Sequence, residues 1–197
     1  MSDGNWFDYM PELGDPPTRD LTERPSATTL WAKPPRKPVE RAEAAHAVEA
    51  EGAILPDGAA PLTEAPLPFI LGGKAFFTLV SQKTGTRYTY RVSAIQDGDG
   101  WFVSLLTGPD NWANYSYIGL IGSDKRFRTT AKSKLSAESE PVKAFAWTYG
   151  WLLRGQEPPS VEIWHAGKCG RCGRKLTVPS SIASGIGPEC ARKGRAA

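Results

Sequence analysis

The chain has 197 residues, 40% of them hydrophobic and 23% charged, and a formal net charge of +3. That is room for one ordinary domain and an appendage. No run of about 18 apolar residues occurs, which excludes a membrane-spanning helix, and the acidic N-terminus lacks the basic and apolar regions of a secretory signal. The expected compartment is a reducing cytoplasm, where three cysteines, two of them spaced Cys-x-x-Cys, favour metal or redox chemistry over a disulfide.

The net charge hides an asymmetry. Residues 1–65 carry six Lys/Arg against twelve Asp/Glu, a balance of −6, while residues 66–197 carry eighteen against nine, a balance of +9. A basic body of this kind suits a polyanionic partner, for which an acidic tail could compete.

Residues 1–66 hold ten of the seventeen prolines, show no steady hydrophobic period and include a polyproline-like run over residues 31–38. Such a composition buries too little apolar surface to offset chain entropy, so an acidic, Pro/Ala-rich disordered tail is expected. Within it, residues 39–51 are a nascent helix candidate. Trp6, Phe7, Tyr9, Met10 and Leu13, set among acids, form a candidate docking peptide.

From residue 67 the texture changes to period two. Residues 74–82 and 86–95 flank a Lys83-Thr84-Gly85 turn and predict a hairpin. In the second strand Tyr88, Tyr90 and Val92 alternate with Arg87, Thr89 and Arg91, so the two sets face opposite ways. After a turn over residues 97–100, residues 101–107 read as a central strand; the loop 108–114 leads to strands over 115–122 and 125–130. Residues 68–71 are a candidate for one further short strand. One helix follows. Ser139 is placed as its N-cap, Val142, Phe145, Ala146, Tyr149, Leu152 and Leu153 form its apolar stripe, and Gly155 ends it. Residues 161–165 are a last strand. The expected fold is α+β: an antiparallel meander of about five strands with one packed helix over residues 67–160, then a small zinc-binding module over 161–197.

His165, Cys169, Cys172 and Cys190 have the spacing His-x3-Cys-x2-Cys-x17-Cys. Thiolates and an imidazole in a set of four suit tetrahedral Zn2+. Gly170 and Gly173 follow the first two cysteines, where a knuckle must turn tightly. A thioredoxin-like redox pair would need a helix at the first cysteine in a βαβ context, which a Gly after each cysteine and antiparallel flanking strands disfavour; a zinc deaminase would need a Glu two residues after the histidine and a Pro before Cys169, and neither residue is there. If His165 points away, a catalytic ion with water as fourth ligand becomes the alternative.

Residues 184–190, SGIGPEC, admit two readings. Gly185-Ile186-Gly187-Pro188 matches the turn of a helix-hairpin-helix, whose N–H groups hold a DNA phosphate. It also makes an elbow that delivers Cys190 to the metal from the first turn of a helix. The segments flanking it are short for a helix-hairpin-helix, which favours the metal elbow. Residues 165–197 carry seven Lys/Arg and one Glu, so an anion-facing module is compatible with either.

The stretch Cys169-Gly-Arg-Cys172-Gly-Arg-Lys-Leu176-Thr177, with Ser181-Ile182, Gly185-Ile186-Gly187-Pro188-Glu-Cys190 and Ala191, resembles an uncharacterised zinc-ribbon-like domain family of actinobacterial, phage and plasmid proteins. Residues 74–78, Thr84-Gly85, Tyr88-Thr89-Tyr90, and residues 106–111 and 143–147 are similar to its frequent companion domain. The resemblance spans residues 68 to 193. It implies a metal-binding protein of phage or mobile-element type and no established activity.

The leading functional expectation is a non-enzymatic nucleic-acid-binding accessory protein. Its candidate contacts are Arg87, Arg91, Arg126, Arg128, Lys132, Lys134, Arg171, Arg174, Lys175 and Arg192, with Tyr88, Tyr90, Tyr115, Tyr117 and Phe127 as candidate stacking residues. The first alternative is a module that binds a host enzyme or defence complex. The second is a zinc enzyme with an open coordination site, for which only Glu189 offers a carboxylate near the cysteines. The sequence does not set the oligomeric state.

Overall fold

The period-two stretches build one antiparallel sheet. The computed structural model describes residues 58–110 and 113–194. Within them the elements run β1 (Ala60–Pro61), α1 (Pro66–Ile70), β2 (Lys74–Ser81), β3 (Arg87–Ala94), β4 (Gly100–Leu106), β5 (Tyr115–Gly122) and β6 (Phe127–Arg128). They continue as α2 (Glu140–Leu153), β7 (Val161–His165), α3 (Pro179–Ser184) and α4 (Pro188–Gly194). The spatial order of strands is β1-β7-β2-β3-β4-β5-β6. β2 to β6 form the expected five-stranded meander, and β7 inserts between β1 and β2.

The alternation of side chains fixes the two faces. Opposite pairs Ala75–Val92, Phe77–Tyr90 and Leu79–Tyr88 point to the helices, as do Val103 and Leu105 of β4. Phe145 of α2 lies at the centre of that face, with ring centroids 5.3 Å from Tyr90, 4.8 Å from Phe127 and 6.4 Å from Phe77. Burying Val142, Phe145, Tyr149 and Leu152 stabilises by roughly 1.5–3 kcal/mol for each large apolar side chain. Hydroxyls on this face reach backbone oxygens: Tyr90 donates to the carbonyl of Pro141 (2.7 Å) and Tyr149 to that of Lys125 (3.0 Å).

The buried stripe of α2 is turned slightly from the expected one. Ala144 and Thr148 are buried, while Ala146 is exposed and Leu153 is 39% exposed. The helix ends as expected at Gly155, whose φ of +70° allows the Gln156 amide to reach the carbonyl of Trp151 and its own amide that of Leu152. Ser139 occupies the N-cap position, but its hydroxyl donates to the Ser136 carbonyl instead of capping the helix.

Several boundaries differ from the sequence reading. Residues 68–71 are not a strand: Pro66 starts the single-turn helix α1, which buries Phe69 and Ile70. The strand expected over residues 125–130 shrinks to Phe127–Arg128. Residues 58–66, expected in the tail, belong to the folded body. Ala60 and Pro61 pair with His165 and Trp164, and Leu62 enters the core. The segment 161–197 begins inside the sheet, because β7 is an interior strand. The docking peptide over residues 6–13, the polyproline-like run 31–38, the nascent helix 39–51 and most of the expected tail lie outside the described residues, as does Asn111 of the 108–114 loop. No helix among the described residues is long and apolar enough to cross a membrane.

Candidate metal centre

Shortly after β7 the chain makes a tight knuckle. Cys169 N–H donates to the Arg174 carbonyl and Gly173 N–H to the Cys169 carbonyl, each at 2.8 Å. Lys168 and Lys175 pair across the turn as an antiparallel bridge. Gly173 has φ +76°, a conformation that L side chains rarely adopt. The turn aims the amides of Arg171 and Cys172 at the Cys169 sulfur.

The second half of the site comes from the α3–α4 elbow. Gly185, at φ +68°, ends α3, and the Ala191 amide bonds the Gly187 carbonyl to begin α4. Cys190 stands in the first turn of α4. The Gly187 N–H donates to the Cys169 sulfur at 3.4 Å. One amide of the elbow is therefore engaged by a thiol.

The Sγ atoms of Cys169, Cys172 and Cys190 lie within 4.8 Å of one another. A tetrahedral ion with bonds of about 2.3 Å separates its sulfurs by about 3.8 Å, so small side-chain adjustments suffice. The electrostatics also favour a cation. Burial opposes ionisation of Cys169, yet the amides of Gly187, Cys172 and Arg171 bring its thiol down to about 7. Burial, then hydrogen bonding with Cys172 and Cys169, pushes Cys190 up to about 11. Three thiols this close cannot all ionise side by side unless a positive ion sits among them.

His165, expected as the fourth ligand, does not join them. Its side chain is 1% exposed and its ring sits 5.6 Å from that of Phe69. Nδ1 accepts from the Gly167 amide at 3.2 Å, and Nε2 donates to the Ile182 carbonyl at 2.8 Å. With both nitrogens engaged, no lone pair is left for a metal. Burial holds the imidazole below its usual pKa, against the opposing hydrogen bond to Ile182, and so favours the neutral ring. Among the described residues no further His, Asp or Glu ligand atom completes the group.

Sequence reasoning missed Phe69, the residue that braces the site. A Cβ on Gly170 or Gly185 would lie 2.6 or 2.4 Å from the Phe69 ring. These positions are glycine because an aromatic from α1 fills the space, and α1 lies about a hundred residues upstream, beyond any local pattern.

The candidate nucleic-acid contacts fall into two sets. Arg87 and Arg91 project from β3 on the face away from the helices. Arg128 projects there from β6, chelated by the carboxylate of Asp124, which the guanidinium holds down to about 2. Arg126, Lys132 and Lys134 flank β6 in sequence, with Arg126 and Lys132 exposed. The second set surrounds the knuckle: Arg171 donates to the Cys190 carbonyl (2.9 Å), Arg174 lies 3.6 Å from Glu189, and Lys175 and Arg192 are exposed. Of the stacking candidates, Tyr88, Tyr90 and Phe127 pack on the helix side. Tyr115 and Tyr117 do not, and they share a face with Arg91.

Residues 165–194 match DUF6011, a family of unknown function. No curated protein and no solved structure matches the chain. The DUF6011 segment begins at the end of β7 and contains all three cysteines, both halves of the elbow and His165. The sheet lies outside it, apart from that one residue.

Proposed function

We propose that this chain is a zinc-stabilised, non-enzymatic nucleic-acid-binding protein of the cytoplasm, of the accessory kind carried by phages and mobile elements. The observation that supports it best is a rim of exposed cations, Arg171, Arg174, Lys175, Arg192 and Lys193, around a turn that brings three cysteines together. Three converging thiols suit Zn2+ better than a harder ion. The ion's task in this reading is to hold the elbow and keep its cations facing outward, where they meet phosphates without reading sequence.

The test joins metal analysis to binding. Purified protein carries one zinc per chain and binds labelled DNA with an affinity that falls steeply between 50 and 200 mM salt. Replacing Lys175 and Arg192 by Ala lowers the slope of log affinity against log salt by about 1 for each phosphate no longer neutralised. A metal-free native protein, or one with no salt-dependent binding to any nucleic acid, refutes the proposal.

A second reading, a zinc enzyme, draws on the disengagement of His165, which leaves a fourth coordination position without a ligand from the described residues. Against it, the nearest carboxylate in sequence, Glu189, faces Arg174 and not the sulfurs.

A further inference from the structure

The sheet face opposite α1 and α2 carries side chains that the metal centre does not use. Phe76, Arg91, Ser104 and Tyr117 stand in one line across β2 to β5. The Phe76 and Tyr115 rings lean together over the two intervening strands, centroids 6.0 Å apart, and the Arg91 guanidinium stacks on Tyr115 at 4.7 Å. Beside them Phe102 and Tyr117 meet edge to face at 5.9 Å. Phe102 is 45% exposed, and Phe76, Tyr115 and Tyr117 are each partly exposed. The same face carries the small hydroxyl residues Thr78, Thr89 and Ser104, with Thr78 bonded to Thr89 at 2.9 Å, and Leu106 opposite Tyr115.

The charge on the central strands has one sign. Strands β2 to β5 contain Lys74, Arg87 and Arg91 and no Asp or Glu. At the margins, Glu162 of β7 accepts hydrogen bonds from Gln82 and Trp164, each at 2.9 Å, and Asp124 is held by Arg128. Within β2 to β5, two aromatic pairs and two arginines, with no carboxylate among the strand residues, present π-faces and cations together. Unpaired bases use both: they stack on rings while the phosphates meet the cations. A duplex hides its base faces and can use only the cations.

We propose that this sheet face binds single-stranded nucleic acid. Bases stack on the Phe76–Tyr115 and Phe102–Tyr117 pairs, and the strand's phosphates run along Arg87 and Arg91. The proposal rests on the nucleic-acid reading above and names its substrate class and its surface.

The test uses the full chain, a labelled 12-nucleotide single strand of mixed sequence and the matching duplex, at two salt concentrations. The expected result is at least tenfold tighter binding to the single strand. Phe102→Ala and Tyr117→Ala each weaken that binding by roughly 5- to 100-fold and leave duplex binding unchanged. Phe102→Tyr and Tyr117→Phe, which keep a stacking ring, restore it and show that a loss is not misfolding. Equal affinity for single strand and duplex, unmoved by Phe102→Ala, overturns this proposal and leaves the nucleic-acid reading standing. No binding to either overturns both. Binding that falls equally in the Ala and the ring-keeping variants also overturns it. So does self-association through this face, seen by sedimentation and abolished by Phe102→Ala, without strand binding.

Discussion

The Nε2–H of His165 donates to the carbonyl oxygen of Ile182 at 2.8 Å, tying the end of β7 to α3. A residue with the spacing of a metal ligand is thus a buried strut between the sheet and the elbow that carries Cys190. This assignment separates two variants that a four-ligand site would treat alike. His165→Ala keeps one metal per chain but loses about 2–4 kcal/mol of stability, from a cavity and an unpaired carbonyl. Cys190→Ala loses the metal itself. Elemental analysis beside denaturant unfolding reads both, and a metal-free His165→Ala protein that is still folded would contradict the assignment.

The same strut makes stability depend on pH. Burial lowers the His165 pKa in the folded state, so the unfolded chain binds the proton more readily. Its contribution is fully present above the ordinary value near 6.5 and is lost as pH falls toward the lower folded value. His165→Gln, which keeps an amide donor, removes this part of the dependence. Unfolding midpoints at pH 7.5 and 5.5 should therefore lie closer together in the variant than in the parent. Both proteins keep the cysteines, so acid release of metal cancels in the comparison.

Thr148 has a buried hydroxyl with no hydrogen-bond partner among the described residues. Thr148→Val replaces it with a methyl of the same shape and is expected to be neutral or to stabilise by up to about 1 kcal/mol. Tyr90→Phe serves as the contrast. It deletes a satisfied donor to the Pro141 carbonyl and should cost about 1 kcal/mol. Thermal unfolding measures both, and a large loss in Thr148→Val would mean that the hydroxyl has a partner.

Gly185→Ala should harm both fold and metal site. The position needs φ +68°, and its Cβ would meet the Phe69 ring at 2.4 Å and a Leu62 methyl at 2.9 Å. Strain and overpacking together cost at least about 2 kcal/mol. Because Gly185 sets the approach of Cys190, competition with a chelator should also show weaker metal retention. Gly155→Ala is the control: it has a similar φ of +70° and open space around it, and it should lose stability without any change in metal affinity.

The strands were legible because alternation is local. Tyr115–Gly122 and Val161–His165 match the sequence reading end to end, and β3 shows the expected split between Tyr90 and Arg91. The cysteine triad was legible because the knuckle at Cys169 and Cys172 needs only short-range spacing and the Gly185-Ile186-Gly187-Pro188 turn marks the elbow before Cys190. What pattern could not supply was register between distant segments. His165 has a ligand's spacing, but its ring is claimed by Ile182 and Gly167 through packing of α3 on β7. Tyr115 and Arg91 share a face only because of how β3, β4 and β5 align, including the irregularity at Val103/Ser104. Pro66–Ile70 is too short for a helical period to show.

β7 has a temporal consequence. A ribosome releases Lys74–Ser81 long before Val161–His165, so one edge of β2 waits unpaired while about eighty further residues are made. During that interval the nascent chain offers a row of free amide and carbonyl groups to any neighbour, and long-range closure of this kind is slow. The cysteine-bearing elbow, following directly on the strand that covers this edge, would act as a latch on the last step of folding.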